Sequence, residues 1–328
     1  MIISRTPFRV SLAGGGSDFA EYYRVRDGHV VTMAINRYMH VTVNRRFDDG
    51  IRVSYTKTEI VQDVDELQHD LIREAMKMVG IRKGIEITTI ADLPAGIGLG
   101  SSSSLTVGVL NALYALKGEW RSADELARRA CDIEIEILEH PIGKQDQYIA
   151  AFGGLCDVHF RTDDTVAVHP LVCLPARRDQ LVSDLMLFYT GVTRSAGSVL
   201  HEARKRIASD NGGRSTVDGL VDIATRMRQS VIDGAVDSVG RLLDESWTLK
   251  KRMASNVSNG FLDGLYESAR AAGALGGKVS GAGGGGCLLL CVPTARQPEV
   301  RAVMVEAGLK EVTFSMEPEG ARIIYYGV

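Results

Sequence analysis

Glycine is concentrated at three places in this chain, and these clusters constrain the fold more than any other feature of the sequence. The 328 residues include 35 glycines, and the clusters lie at 14–16, 96–100 and 276–286. Glycine lets a backbone turn sharply and lets another group approach it closely. Scattered glycines would indicate turns, whereas three clusters predict three places where the backbone must lie close to a ligand or to another segment.

The middle cluster has the pattern of an anion site. In "LPAGIGLGSSSSLTVGVL" (93–110), a strand predicted at 84–94 enters a glycine loop, and a helix predicted at 102–117 follows it. Free N–H groups and the helix dipole attract anions at such a helix start. The segment is not a Walker loop, because no lysine follows the last glycine. Its spacing also differs from the dinucleotide fingerprint, which argues against a Rossmann-type dehydrogenase.

The order of the predicted elements indicates an α+β fold in two halves. Helices fill most of 197–272, with one polar break at 209–215, and strands occur at both ends of the chain. A boundary near 170–182 divides the chain into domains at 1–175 and 176–328. The remaining predicted helices are 64–79 and 122–139, and the predicted strands are 2–13, 29–46, 51–55, 155–160, 165–169, 184–190, 286–292, 311–316 and 321–327.

Composition and charge favour a cytoplasmic protein that acts on small molecules. The net charge is −3, which gives no general attraction to nucleic acid or to anionic membranes. The N-terminus "MIISRTPFRV" lacks the pattern of a signal peptide, and no apolar run approaches the ~20 residues of a membrane span. The five cysteines form no CxxC pair and are expected to be reduced. The oligomeric state stays open, a homodimer included.

Three segments resemble the motifs of the GHMP kinases, the superfamily of galactokinase, homoserine kinase, mevalonate kinase and phosphomevalonate kinase. They are "RTPFRVSLAGGGSDF" (5–19), "PAGIGLGSSS" (94–103) and "GGKVSGAGGGGCLLL" (276–290), in the family's order. The resemblance implies a two-domain kinase fold, with a ribosomal-protein-like N-terminal domain, a ferredoxin-like C-terminal domain and a last strand that returns to the N-terminal domain. It also implies ATP, Mg²⁺ and a sugar as ligands. The residues that it assigns to ATP are Pro94, Gly96, Gly98, Leu99, Gly100, Ser101, Ser102, Ser103 and Ser104.

The same resemblance implies roles for two carboxylates. Asp146, in "GKQDQ" (143–147), would face the acceptor hydroxyl, and Glu134 would bind Mg²⁺ together with Ser102. Carboxylate and hydroxyl oxygens are suitable Mg²⁺ ligands. Arg9 would lie near the transferred phosphate.

Two further expectations concern the surroundings of these carboxylates. Lys144, two residues from Asp146, is expected to pair with it and to keep it ionised. A capping box, Ser122 to Glu125, is expected to open the helix that carries Glu134.

The acceptor is implied by three segments together. The N-terminal motif, "GKQDQY" (143–148) and "TGVTRSA" (190–196) most resemble the bacterial heptose 7-phosphate kinases. The implied reaction converts D-glycero-D-manno-heptose 7-phosphate into the 1,7-bisphosphate, for nucleotide-sugar biosynthesis. L-fucose and a mannose-type sugar remain alternative acceptors, because fucokinases are similar too. The residues assigned to the acceptor are Asp18, Gly15, Gly16, Ser17, Gly283 and Arg194, with Arg194 and Lys144 as candidate phosphate ligands.

A function of another class is also open. The chain could be a nucleotide-binding regulator that kept the fold and lost the chemistry. The presence of both Glu134 and Asp146 favours an enzyme instead.

Overall fold

A computed structural model describes residues 1–192, 196–209 and 212–327. Within them, the larger sheet has the order β12-β1-β2-β5-β3-β4, and β6 pairs with β2 and with β7. In the described part of this sheet, β3 and β5 pair in parallel, and the other neighbouring strands are antiparallel. Its strands are β1 (Ile2–Ala13), β2 (Gly28–Arg45), β3 (Ile51–Ser54), β4 (Thr58–Val61), β5 (Ile85–Ala91), β6 (Leu155–Phe160), β7 (Val166–Pro170) and β12 (Arg322–Tyr326).

The second sheet has four strands in the order β11-β8-β10-β9. Its strands are β8 (Leu185–Tyr189), β9 (Gly276–Val279), β10 (Cys287–Cys291) and β11 (Lys310–Glu311). All residues of β10 are buried, as an apolar central strand should be. The helices are α1 (Ala20–Tyr23), α2 (Asp70–Val79), α3 (Ser101–Leu116), α4 (Ala123–Cys131), α5 (Gln145–Phe152), α6 (Pro175–Ser183), α7 (Ala196–Ala208), α8 (Gly213–Asp233), α9 (Val236–Lys250), α10 (Gly260–Ala271) and α11 (Gln297–Glu306).

Several predicted boundaries were wrong. The helix expected at 64–79 is a 3₁₀ turn, Val64–Glu66, followed by α2. The helical region at 197–272 has two further breaks, one of them at Gly234, whose φ of 72° ends α8. The strand expected at 311–316 is only two residues long. Within the region 170–182, where the domain boundary is predicted, Pro175 is the first residue of α6, a position that suits its fixed φ.

Helix α3 packs directly against β1 and β2, and this contact fixes the loop that precedes it. A Cβ atom at Gly108 would lie 2.8 Å from Thr6 Oγ1, so only glycine lets the helix approach the sheet so closely. Ser4 Oγ donates a hydrogen bond to Gly108 O at 2.7 Å. The C-terminal strand β12 pairs with β1 on the other side, from Ile2 opposite Tyr326 onward.

No helix within the described residues is both long enough and apolar enough to cross a lipid bilayer.

Candidate active site

The glycine loop ends at the uncapped start of α3. Gly100 precedes the helix with a φ of 78°, and no side chain caps the helix start. The first backbone bond of the helix runs from Ser104 N to Gly100 O, so the N–H groups of residues 101–103 have no partner within the helix. This start opens into a cavity of about 480 Å³. The loop residues that line the cavity are Ala95, Gly96, Gly98, Gly100, Ser101 and Ser102.

The C-terminal glycine motif packs against the loop. A Cβ atom at Gly98 would lie 2.5 Å from Ser280 O, and one at Gly281 would lie 2.6 Å from the Gly98 Cα atom. Both glycines also have positive φ angles, 81° and 67°. Part of the glycine requirement therefore comes from contact between the two motifs and not from ligand binding.

Some side chains that were assigned to ATP do not line the cavity. Leu99 is buried in the core, with 1% of its surface exposed. The side chains of Ser103 and Ser104 are buried as well, and they hold the loop in place. Ser103 Oγ donates to Glu134 Oε2 at 2.9 Å, and Ser104 Oγ donates to Pro7 O at 2.7 Å. The residues assigned to ATP that do not line the cavity are Pro94, Leu99, Ser103 and Ser104, and their assignment to ATP stays a prediction.

Asp146 forms a two-point ion pair with Arg9 at the end of this loop. Arg9 Nε and Nη2 donate to the two Asp146 carboxylate oxygens, both at 2.6 Å, and Arg9 Nη1 donates to Gly98 O at 2.6 Å. A Cβ atom at Gly100 would lie 3.3 Å from both Arg9 Cγ and Asp146 Oδ2. Such two-point pairs hold a carboxylate in a fixed orientation. The carboxylate that was predicted to face the acceptor hydroxyl thus lies directly against the glycine loop.

The expected pairing of Lys144 with Asp146 is wrong. Lys144 Nζ lies 2.5 Å from Asp164 Oδ1 and 4.7 Å from the centre of the Tyr23 ring, and Lys144 does not line the cavity. Lys144 immediately precedes α5, whereas Asp146 lies in its first turn, so the two side chains leave the backbone in different directions. Arg9 is the cation that pairs with Asp146.

Asp18 lies in the same cavity, where backbone and side-chain donors hold it. Asp18 Oδ1 accepts from Gly16 N at 2.9 Å, and Oδ2 accepts from Gln145 N and Nε2 at 3.3 and 3.2 Å. Burial raises the pKa of Asp18, and the charge of Asp146 raises it further. Gly15, Gly16 and Gly283 line the cavity beside it.

Ser17 and Arg194 were also assigned to the acceptor. Ser17 is fully buried and does not line the cavity. Its Oγ donates to Gly14 O at 2.8 Å and to His29 O at 3.1 Å, so it fixes the shape of its own loop. Arg194 lies outside the described residues.

Glu134 lies in a π-helical segment, Asp132–Ile137, and is fully buried. Its Oε2 accepts from Ser103 Oγ and, at 3.2 Å, from Gln147 Nε2. Ser103 is thus the serine that contacts Glu134 directly, and the binding of one Mg²⁺ ion by Glu134 and Ser102 together stays a prediction. In the described part of the chain, Glu134 Oε1 has no hydrogen-bond partner by distance and angle, since the nearby Thr106 hydroxyl, which acts to lower the pKa of Glu134, donates to Ser102 O. Burial, and secondarily the charge of Asp146, raises the pKa of Glu134 to about 7. An unpaired buried carboxylate oxygen of this kind fits a divalent cation.

Two lysines that the sequence analysis missed also line the cavity. Lys250 Nζ donates to Val279 O at 2.9 Å and to Gly281 O, and burial together with the charge of Arg9 lowers its pKa to about 7. Lys278 is 4% exposed, and its burial and the charges of Lys250 and Arg9 hold its pKa well below the usual range. Lys278 lies inside the quoted C-terminal motif, whereas nothing in the sequence marks Lys250.

The two halves of the chain match known family models. Residues 67–154 match the GHMP kinases N terminal domain, and residues 227–310 match the GHMP kinases C terminal domain. A D-glycero-alpha-D-manno-heptose 7-phosphate kinase of Campylobacter jejuni is 31% identical to this chain, and the alignment covers 98% of each protein.

Solved structures give the same fold. The crystal structure of a D-glycero-D-manno-heptose 1-phosphate kinase from Bacteroides thetaiotaomicron superposes with a TM-score of 0.83 at 28% identity, over 100% of both chains. The structure of Lactococcus lactis galactokinase with galactose has a TM-score of 0.76 at 20% identity, covering 98% of this chain and 94% of that one. The predicted α+β fold in two halves is confirmed. This chain belongs to the GHMP kinase family.

Proposed function

We propose that this chain transfers the γ-phosphoryl group of ATP to the anomeric hydroxyl of D-glycero-D-manno-heptose 7-phosphate and forms the 1,7-bisphosphate. The Campylobacter and Bacteroides proteins named above are both heptose phosphate kinases, and both match over the full chain. The observation that carries the proposal is the Asp146 carboxylate, which Arg9 holds against the glycine loop inside one cavity.

The start of α3 supplies the nucleotide site of this proposal. The unpaired N–H groups of residues 101–103 would donate to phosphate oxygens, and the helix dipole adds partial positive charge at the same place. Arg9 and Lys250 also line the cavity, and Arg9 adds a full positive charge beside the loop. Phosphoryl transfer depends on this kind of positioning and charge stabilisation.

Asp146 would act on the acceptor. Its carboxylate orients the anomeric hydroxyl and accepts its proton as the oxygen forms a bond to the γ-phosphorus. The bond between that phosphorus and the bridging oxygen breaks, and ADP leaves with the electron pair. Asp18, held by Gly16 and Gln145, would accept hydrogen bonds from sugar hydroxyls.

The cation that the family implies fits the residues present. We propose that Glu134 and Ser102 hold Mg²⁺, since Glu134 Oε1 is buried and unpaired and Ser102 lines the cavity. When bound, Mg²⁺ supplies charge neutralisation for the nucleotide phosphates. Ser103 and Gln147 orient the Glu134 carboxylate through its other oxygen.

Lys250 and Lys278 favour an acceptor that carries its own phosphate. Burial, and secondarily neighbouring positive charge, lowers the pKa values of both lysines, and a dianionic group bound beside them would favour their charged forms. L-fucose and a free mannose-type sugar would bring no such charge. Arg194 stays a candidate second ligand for this phosphate.

The proposal also includes the bounds of the two domains, the location of the enzyme in the cell and the use of its product. We assign the domains to 1–175 and 176–328, because β1–β7 of the larger sheet lie in the first range and the four strands of the second sheet lie in the other. Strand β12 is the exception, since it returns to the larger sheet. We also propose a cytoplasmic enzyme whose product enters nucleotide-sugar synthesis, because sugar phosphates and ATP are its substrates.

The test is ADP release with a panel of aldoses, each offered with and without a terminal phosphate. We expect kcat/KM for heptose 7-phosphate to exceed that for L-fucose and mannose by about a hundredfold or more. Phosphorus NMR of the product should show a new anomeric phosphate. An equal kcat/KM for an unphosphorylated sugar would reject the phosphate acceptor, and ATP binding without turnover of any sugar would favour the regulator.

A further inference from the structure

A cluster of two histidines and one aspartate lies away from the cavity, where β2 pairs with β6. His29 in β2 is directly opposite His159 in β6, and Asp157, two residues earlier, lies on the same face of the sheet. Each of the three residues offers one ligand atom, and these atoms lie within 4.8 Å of one another. None of the three lines the cavity of the active site.

The contacts within the cluster converge on the carboxylate. His29 Nε2 contacts Asp157 Oδ1, and His159 Nε2 lies 3.1 Å from Asp157 Oδ2. The two imidazole rings stack with centres 4.5 Å apart and planes 10° from parallel. Asp157 is 4% exposed and His29 is 7% exposed at their side chains, whereas the His159 side chain is 37% exposed. The cluster is therefore buried on one side and open to solvent at His159.

Each ring nitrogen of His29 faces one neighbouring side chain. Nδ1 lies 3.3 Å from Thr225 Oγ1 in α8. Nε2 faces Asp157 Oδ1, so the imidazole nitrogen and the carboxylate oxygen are directed at the same point, which a proton or a metal ion can occupy.

We propose that His29, Asp157 and His159 bind one divalent transition-metal ion of the Zn²⁺ type. Two imidazole nitrogens and one carboxylate oxygen form a common ligand set for such ions, with water completing the shell. The solvent-exposed side of His159 provides the way in, and the bond from His29 to Thr225 is the outer-shell contact that metal-binding histidines usually make.

Among the described residues, Arg228 is a charged neighbour that competes with an ion for Asp157, and the His169 ring lies 5.7 Å from that of His159. Arg228 Nε donates to Asp157 Oδ2 at 3.0 Å, which leaves Oδ1 for the ion. Arg228 and Thr225 both belong to α8, so an ion at this site would lie between that helix and strands β2 and β6. His29 N also donates to Ser17 Oγ, which links the site to the loop that carries Asp18.

The experiment uses the full-length, untagged protein after removal of metal by a chelator. Zn²⁺ is titrated against a chromophoric chelator, and Co²⁺ is added separately so that its visible absorption reports the ligand geometry. We expect one ion per chain and a rise in Tm when Zn²⁺ is in excess. His159→Asn should weaken Zn²⁺ binding at least about tenfold, whereas His201→Asn, at an exposed position on α7, should leave it unchanged.

Histidine NMR of the wild-type protein gives a second measurement that does not depend on a variant. Zn²⁺ should shift the ring signals of two histidines that show a mutual contact and leave the His201 signal in place. Wild-type protein that takes up neither Zn²⁺ nor Co²⁺ would overturn the proposal and assign the cluster to a shared proton. Equal Zn²⁺ affinity in folded His159→Asn would overturn it as well.

Discussion

At the scale of single residues, the sequence predicted the candidate catalytic groups better than their partners. Motif position identified Arg9 and Asp146, and the structure brings them into contact across 137 residues of chain. The partner proposed for Asp146 was its neighbour Lys144, which instead pairs with Asp164. Sequence proximity is a poor guide to ion pairs, because side chains two residues apart near a helix start do not face each other.

Asp146 can be tested with an isosteric change. Asp146→Asn fills the same space but neither accepts a proton nor pairs fully with Arg9, so kcat should fall by about 10²–10⁴. The affinity for an ATP analogue should stay nearly unchanged, since the helix start is untouched. Steady-state kinetics and a direct binding titration measure the two effects separately.

The control for this variant is Asp164→Asn, which removes an ion pair outside the cavity. Its kcat should remain within about threefold of the wild-type value. Near-normal turnover by Asp146→Asn at saturating sugar would reject Asp146 as the base and make Asp18 the next candidate.

Glu134 should make the stability of the metal-free protein depend on pH. Its pKa in the folded protein is about 7, above the value of ~4.5 expected in the unfolded chain, so folding favours its protonated form. The free energy of unfolding therefore falls as pH rises from about 4.5 to 7 and loses no more from this group above that range. The free energy of unfolding of Glu134→Gln, measured relative to wild type, should therefore increase by up to about 3 kcal/mol as pH rises across that window.

Urea unfolding of both proteins between pH 4.5 and 8 measures this difference, because contributions of other groups cancel. Mg²⁺ in excess should reduce it by stabilising the ionised wild-type carboxylate. In the assay, Glu134→Gln should lose about a hundredfold or more in activity and need more Mg²⁺. A stability difference that is flat with pH would show that Glu134 ionises as an exposed carboxyl does.

At the scale of secondary-structure elements, the sequence predicted the start of the helix that follows Ser122 but not the internal geometry of that helix. The capping box is confirmed, since Ser122 Oγ accepts from Glu125 N at 3.1 Å. The sequence could not predict that the helix becomes π-helical at Asp132–Ile137, because alternating "IEIEI" has no distinctive period for that geometry. Such a bulge changes the direction of each side chain in it, which bears on how Glu134 is buried.

The start of α3 permits a test that separates anion binding from folding. Ser101→Asp adds a negative charge at the first helical residue, where the dipole favours it by up to about 1 kcal/mol. The protein should therefore keep or gain stability, while the affinity for ATP should fall at least about tenfold through repulsion of the phosphates. Thermal unfolding and a nucleotide titration measure the two quantities.

Ser101→Asn is the matched neutral control and should bind ATP within about threefold of wild type. This position is a better choice than Gly98, where any side chain would strike the backbone of Ser280 and disturb the packing of the two glycine motifs. If Ser101→Asp leaves the affinity for ATP unchanged, the phosphates bind elsewhere in the cavity.

At the scale of the whole molecule, the cavity combines residues from both ends of the chain. The full set of side chains that line it could not be predicted from local sequence patterns. Lys250 comes from the last turn of α9 and Lys278 from β9, yet both lie near Arg9 of β1. The motifs predicted that these segments meet. The number and burial of the cations depend on how the second sheet and its helices pack, which no single segment encodes.

Contacts between α1 and α8 join the loop that carries Asp18 to the C-terminal half of the chain. Tyr22 OH donates to Asp218 Oδ1 at 2.7 Å, and Arg26 pairs with the other oxygen. Asp218→Ala leaves the hydroxyl of a buried tyrosine without its acceptor, so stability should fall by about 1–3 kcal/mol. Because α1 follows directly after the loop of Asp18, KM for the sugar should rise more than KM for ATP.

Asp222→Ala, one turn further along α8, removes an exposed pair with Arg226 and should change stability by less than about 0.5 kcal/mol. A double-mutant cycle with Tyr22→Phe measures the coupling to Asp218, which should be about 0.5–3 kcal/mol for groups in contact. If the two single changes are additive, the hydrogen bond does not hold the halves together. If KM for ATP rises as much as KM for the sugar, the contact orders the whole cavity and not only the loop that carries Asp18.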